Sequence, residues 1–375
     1  MKTQITLQDI ADRAGVSRTT VSMALRNLAN LPLSTRRRIR EMADALGYRP
    51  NPLVATLMSY QRAAKSERPK HLTLALILRF SRDADWPEYF SPDLLAGAMQ
   101  RAVQLGYNLE QFWIGDLKMD GVRLSQMLSE RAVPGLLIAP LSTPAGHLRL
   151  DWESFSTVAI GDSVVRPELH RVTSSPYKAM LLAVHELRRR GYRRMGLALE
   201  ASQDARVRHQ WGASFSWNQA RRHPQDRVPP LVVDGTDWSE RRFAAWFRRH
   251  QPEVILADDG RVLAWLGRLG LSVPQDVGFV HLWNRDTSGK CAGLYHDPPA
   301  LGAAAIDLLV SLIQANDRGV PARPKVVQLE AHWVNGQTIK TRTRSRPGRS
   351  IPSRPISALA YAPIPAALVM NGSAV

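Results

Sequence analysis

Thr6-Leu7-Gln8-Asp9-Ile10-Ala11-Asp12-Arg13-Ala14-Gly15-Val16-Ser17-Arg18-Thr19-Thr20-Val21-Ser22-Met23-Ala24-Leu25-Arg26 is the stretch on which the reading of this chain turns. The Thr6 hydroxyl with an acid at Asp9 is an N-cap signal, and Ile10, Ala11 and Ala14 follow at helical spacing, so a short first helix is expected. Gly15 supplies a turn, Val16 packs, and Ser17 caps a second run whose apolar face is Val21, Ala24 and Leu25. Two helices across so short a turn make a helix-turn-helix. The other face of the second helix presents Arg18, Thr19, Ser22, Met23 and Arg26, side chains that reach base edges and phosphates in a major groove. An ordinary amphipathic surface helix carries the same two faces, so this pattern does not decide the matter by itself.

A third helix is expected from Ser34 to Leu46, stopped by Gly47, with Ile39, Met42, Ala43 and Leu46 as its apolar stripe. Arg36, Arg37 and Arg38 fall in its first turn, where cations oppose the helix dipole, so a partner with negative charge such as phosphate is implied. The charge of the whole chain agrees. Its net +17 is concentrated at the ends: residues 1–65 hold 11 basic and 4 acidic residues, residues 340–375 hold six basic and no acidic ones, and the 274 residues between are nearly balanced. A basic segment of about 60 residues is large enough to fold and to neutralise DNA phosphates, although a solvated basic face would look similar.

At 375 residues and 44% hydrophobic content the chain has enough apolar surface for two or three domains, which excludes a disordered or fibrous protein. One cysteine, Cys291, forms no internal disulfide, and no CxxC or Cys/His cluster offers a metal site, so no metal or cofactor is expected. The N-terminus has no apolar signal region, and no 18 apolar residues run without a charge; the expectation is a soluble, cytoplasmic protein that does not engage a membrane. The tail from Thr341 to Val375, with five prolines, no acid and no period, reads as disordered.

The segments ITLQDIADRAGVSRTTVSMALRN (Ile5–Asn27) and LSTRRRIREMADALGYRPNPLVATL (Leu33–Leu57), with their GYRPNP joint at Gly47–Pro52, resemble the lactose-repressor (LacI/GalR) family of bacterial transcription regulators. The resemblance implies operator contacts from Thr6, Leu7, Ser17, Arg18, Thr19, Thr20, Ser22, Met23, Arg26, Asn30, Thr35, Tyr48 and Asn51. It also implies a hinge helix after the joint, on which Leu57, with Ala55 near it, wedges into the minor groove and bends the duplex. An ordinary connector with Leu53 and Leu57 in a core is the competing reading. One departure matters: family members commonly carry Arg where this chain has Met23, and Met donates no hydrogen bond to guanine. Arg18 and Thr19, at the family's variable base-reading pair, then carry more of the sequence choice, and the operator is expected to differ from the family consensus.

From His71 onward apolar runs alternate with amphipathic helices: Leu72–Leu78, Pro92–Gln104, Tyr107–Trp113, Gly121–Glu130, Gly135–Pro140 and Val158–Gly161, then, after a helix at Tyr177–Arg190, a second series. In that series strands are expected at Met195–Leu199, 231–233, 254–257 and Val277–Leu282, with helices within 206–222, 239–249 and 260–269. Such alternation means parallel sheet covered on both faces, here as two similar lobes with a ligand cleft at the strand ends between them. The fold class is therefore α plus α/β, with a helix-turn-helix three-helix domain (1–50), a two-lobed body (71–339) and a basic tail (340–375); the family resemblance implies that 51–70 is a hinge helix and linker and that the body is periplasmic-binding-protein-like, serving effector binding and dimerisation.

The resemblance places a sugar-binding cleft in that body, but His209 stands three residues before Gly212 where family members carry a clamping Arg. His281-Leu282-Trp283-Asn284 stands where an acidic pair is usual. Losing those charge-assisted hydrogen bonds makes a familiar sugar less expected. Tyr89, Phe90 and Trp283 still offer aromatic faces, and Asp162, His209 and Asp258 polar edges, with Arg208 a neighbour that would replace the clamp if the helix bulged. The expected function is a homodimeric, sequence-specific transcription regulator, a repressor foremost, that binds a near-palindromic double-stranded operator. A small-molecule effector, a carbohydrate or related metabolite, gates it on the bacterial nucleoid. The alternative is a DNA-binding regulator or architectural protein without effector response. An enzyme is not expected, since GxxxxGK[ST], GxSxG and HExxH are all absent and His185-Glu186 lacks a second histidine at the required spacing.

Overall fold

The computed structural model describes residues 5–25, 31–46, 48, 72–80, 90–114, 121–141, 143–144 and 146–340. The expected hinge helix with Ala55 and Leu57, the residues Arg26, Asn30, Asn51 and Tyr89, and the tail from Thr341 lie outside them.

Local chemistry explains the head. Helix α1 (Leu7–Ala14) starts at Thr6, whose Oγ1 accepts the Asp9 N–H at 3.3 Å while the Asp9 carboxylate accepts the Thr6 N–H at 2.7 Å. Gly15 takes the left-handed conformation at φ 65° that closes α1. Ser17 Oγ accepts the Thr20 N–H at 3.1 Å at the start of α2 (Arg18–Leu25). Helix α3 (Leu33–Ala45) completes the bundle, starting one residue before Ser34. Ile10, Ala11, Val21, Ala24, Ile39 and Ala43 form its small core, with Val16, Leu25 and Leu46 packed around it.

The first lobe is built from β1 (Leu72–Leu78), α4 (Pro92–Gln104), β2 (Tyr107–Trp113), α5 (Gly121–Glu130), β3 (Gly135–Ile138), β4 (Gly146–His147), β5 (Ser156–Ile160), β6 (Val164–Arg166) and β7 (His170–Ser174). The second contains α6 (Pro176–Arg189), β8 (Met195–Glu200), α7 (Ala201–Arg206), α8 (Gln210–Ala220), β9 (Leu231–Val233), α9 (Glu240–His250), β10 (Val254–Ala257), α10 (Arg261–Arg268), β11 (Gly278–His281) and β12 (Gly293–Tyr295). The chain then returns to the first lobe as α11 (Pro298–Ala315) and β13 (Val326–Leu329), and ends in the second as β14 (His332–Val334).

Strand order is β13-β7-β5-β3-β1-β2 in the first sheet, all parallel, and β14-β12-β11-β10-β8-β9 in the second, parallel except where β14 meets β12. The chain therefore passes between lobes three times: after β7, after β12 and after β13. Two of these passages touch, Ser175 N–H donating to Leu329 O at 3.1 Å. Helix α11 is apolar and long enough to cross a membrane by length and composition, yet its Leu301, Ala305, Ile306, Leu309 and Val310 are core of the first lobe. It lies so close to α4 that a Cβ on Gly302 would stand 2.1 Å from Leu94 O.

Two features differ from the sequence expectation. The helix expected within 206–222 is α8 at Gln210–Ala220, but the short α7 before it has no counterpart in the sequence expectation; the two are separated where Arg208 and His209 adopt left-handed φ of 52° and 60°. Asp204 holds that break, accepting the Gly212 N–H at 3.1 Å, and its carbonyl accepts the His209 N–H at 2.8 Å. Strand β7, central to the first sheet, has no apolar run to announce it because His170, Arg171, Thr173 and Ser174 are buried polar residues.

Candidate functional site

On the head, Ser17, Arg18 and Thr19 are exposed and Thr20, Ser22 and Met23 half-buried, so the outer face of α2 stands clear of the core formed by Val21 and Ala24. Thr6 is exposed; Leu7, Thr35 and Tyr48 are half-buried. Burial pushes the Tyr48 hydroxyl pKa up, with the Arg18 charge pulling the other way, so Tyr48 lies near the start of α2. Among the arginines expected to await phosphate, Arg37 pairs with Glu41 at 3.1 Å, and Arg38 donates to Ala14 O at 3.3 Å, tying α3 to the end of α1.

Between the lobes lies a cavity of about 470 Å³. Its wall follows the carboxyl ends of the strands: Pro140 after β3, Ile160 to Ser163 at β5, Thr173 and Ser174 on β7, Glu200 on β8, Asp258 to Arg261 after β10, and His281 to Asp286 from β11 onward. This is where parallel α/β sheets place ligands, because the loops leaving the strands there are free of packing duty.

Most charges in the wall are matched within the protein. Asp162 sits 3.4 Å from the buried Arg171, accepts from Thr173 Oγ1 at 3.0 Å, and lies 3.8 Å from Arg208 Nε. Asp259, just before α10, accepts from Trp238 Nε1 at 2.7 Å and from the Arg261 N–H and Nε at 2.8 and 2.7 Å. Arg206 reaches across the cleft and donates to Leu141 O at 2.7 Å. The His281 ring is held neutral, its pKa lowered by burial to about 4. Its Nδ1 accepts the Trp283 N–H at 3.1 Å, so the ring proton resides on Nε2. Trp283 stacks on His296 at 4.0 Å and 11°; His296 is buried, its pKa also lowered to about 4 by burial, and its Nε2 donates to Leu282 O.

Of the effector residues expected from sequence, Asp162, Asp258 and Trp283 meet in this wall. Phe90 is instead 1% exposed and packed against Phe80 in the first-lobe core. His209 projects outward, its side chain 71% exposed beside Asp204. Arg208 stays outside the wall, spanning from the second lobe to Asp162 and Glu168 of the first. Ser91 and Arg206 are wall residues that sequence reasoning did not assign to the cleft, and Trp211 lines it too. A signal existed for Ser91, which ends the β1 connection just before Pro92 opens α4. Arg206 depends on where α7 stops, which only the Asp204 contacts decide. Among the described residues no His, Cys, Asp and Glu group could hold a metal ion.

Residues 6–51 match the family of bacterial regulatory proteins, lacI family, and residues 184–339 match the periplasmic binding protein-like domain. The chain is 24% identical over 336 residues to the HTH-type transcriptional regulator PtxS of Pseudomonas plecoglossicida, covering 86% of this chain and 92% of that protein. It is 24% identical over 349 residues to the HTH-type transcriptional repressor PurR of Klebsiella pneumoniae, covering 87% and 94%. The fold is shared with a transcriptional regulator CelR–cellobiose complex (TM-score 0.54, 19% identity, 89% of this chain and 100% of that one). It is shared too with the lac repressor dimer bound to operator and the anti-inducer ONPF (0.51, 20%, 89% and 99%). Head, body and relatives define a DNA-binding transcription regulator, not an enzyme. More particularly, its head carries the lacI-family match over residues 6–51, where the segments at Ile5–Asn27 and Leu33–Leu57 resemble that family.

Proposed function

We propose that this chain is a homodimeric repressor, acting in the bacterial cytoplasm on the nucleoid, whose affinity for a near-palindromic operator is set by a carbohydrate or related metabolite bound between the lobes. The domain division at 1–50, 51–70, 71–339 and 340–375 belongs to this reading. The observation that carries it is the cavity at the strand ends of both lobes, walled by Asp162 and Thr173 on one side and Asp258 and Trp283 on the other, in a chain that begins with a helix-turn-helix. A ligand that touches both walls favours one angle between them, and only its difference in affinity for two such angles changes DNA binding. The cellobiose complex and the operator-bound dimer among the structural neighbours support the ligand class and the dimer. In this reading Arg18 and Thr19 choose the base sequence, Tyr48 helps seat the recognition helix, and Leu57 wedges the minor groove.

A second reading, a regulator without effector response, has one observation in its favour: Arg206 to Leu141 O and Arg208 to Asp162 already join the lobes through the protein's own groups. Selection of genomic fragments by the purified chain, then titration of the best fragment with a metabolite panel, separates the two. The Leu57→Ala variant is expected to weaken operator binding with effector binding intact; unchanged operator affinity refutes the wedge.

A further inference from the structure

Two uncharged polar side chains of the cavity wall are buried yet unpaired among the described residues. Trp211, on α8 of the second lobe, is 3% exposed, and Ser91, at the head of α4 in the first lobe, is 6% exposed. Neither Trp211 Nε1 nor Ser91 Oγ has a hydrogen-bond partner among the described residues. Ser91 makes this conspicuous, because it occupies the N-cap position of α4, with extended backbone and Pro92 at the first turn, and its hydroxyl still does not cap the helix. Buried polar groups are nearly always paired, and an unpaired one in a native structure calls for an explanation. Both residues line the same cavity, from opposite lobes.

We propose that Trp211 and Ser91 are a cross-cleft pair of ligand-binding residues, and that the cleft takes an uncharged polar ligand with hydrogen-bond acceptors toward both lobes. This rests on the effector-gated reading above. An indole N–H only donates, so the ligand group at Trp211 is an acceptor such as a hydroxyl, ether or carbonyl oxygen; the serine hydroxyl donates or accepts and reaches the ligand by turning about its Cα–Cβ bond. Charge on the ligand is disfavoured at the carboxylates of the wall, because Asp162 is matched by Arg171 and Asp259 by Arg261. Breaking such a pairing to bind an ion leaves a buried partner uncompensated. Trp283 completes the seat: one of its faces is covered by His296, and the residue also lines the cavity, offering an apolar platform to C–H groups.

The test is calorimetric titration of the full chain with a panel of neutral mono- and disaccharides, the matching aldonic and uronic acids, and amino sugars. The parent and the Trp211→Phe and Ser91→Ala variants are compared, and effector-free operator binding is measured on each. The expected result is a neutral best binder whose affinity falls about tenfold in each variant, while effector-free operator affinity is kept. A deoxy analogue lacking the acceptor facing Trp211 is expected to bind the parent and Trp211→Phe equally, which a merely structural tryptophan would not produce. A charged best binder, or full affinity in both variants, overturns the proposal even if that compound shifts operator binding and so upholds the effector-gated reading. A neutral ligand lost by both variants that leaves operator affinity unmoved upholds the proposal and sinks the gating. Binding by no panel member overturns both.

Discussion

On the head, the side chains facing outward from α2 are held by little more than their own helix, whereas in the cleft Asp162, Asp259 and Arg206 are already engaged by the protein. Arg18 and Thr19 are exposed around a core of six small side chains, while Asp162 is ringed by Arg171, Thr173 and Arg208. The difference follows from what each surface meets. DNA brings its own dense charge, so a head needs only to present donors at fixed spacing. A small ligand brings little, so the cleft satisfies its own charges first and leaves neutral groups and aromatic faces for the ligand.

The contrast breaks most visibly where the cleft's charges are cut. Arg171→Leu strands the Asp162 carboxylate in the first lobe and is expected to destabilise the body by about 3–5 kcal/mol, read as a lowered thermal midpoint of the body transition. Ile39→Ala removes the middle of the head's small core, at a cost of about 2–5 kcal/mol. Operator binding is expected to fail while the body transition stays where it was; joint loss of both transitions would show that head and body fold as one unit. Gly212→Ala places a Cβ 2.7 Å from Asp204 Oδ2, the group that holds the break between α7 and α8. The expected loss is about 1–3 kcal/mol, accompanied by weakened ligand binding because Arg206 and Trp211 flank that break.

A smaller effect comes from pH. His281 and His296 have pKa values lowered by burial from 6.5 to about 4, so the unfolded chain binds protons that the folded chain refuses between those values. Their contribution is fully present above about pH 6.5 and is lost as the pH falls toward about 4. Denaturant midpoints measured at intervals across that range are expected to decline toward acid; a flat profile would mean that these rings are not buried neutral.

The same contrast explains what could be read before any coordinates. The head is legible because each of its decisions is local: Thr6 and Asp9 cap each other, Ser17 caps through Thr20, and Gly15 turns the chain between them. The alternating strands and helices of both lobes are legible from apolar runs such as Leu72–Leu78 and Val254–Ala257. Strand β7 is not, since its polar residues are tolerated in the interior only because Arg171 finds Asp162. Nor is the short helix α7, whose end at Arg208 and His209 is fixed by the contacts of Asp204. Asp162, Asp258 and Trp283 were within reach as polar or aromatic residues at strand ends. Arg206 becomes visible only when distant segments are brought to one wall.

The most direct test of effector gating is an operator titration by fluorescence anisotropy, at fixed salt, with and without the tightest-binding panel compound. Gating is expected to shift the apparent Kd by at least about tenfold, or roughly 1.4 kcal/mol of coupling, with the operator shifting the compound's own affinity by the same factor. An operator Kd that does not move while the compound saturates the cleft would contradict it.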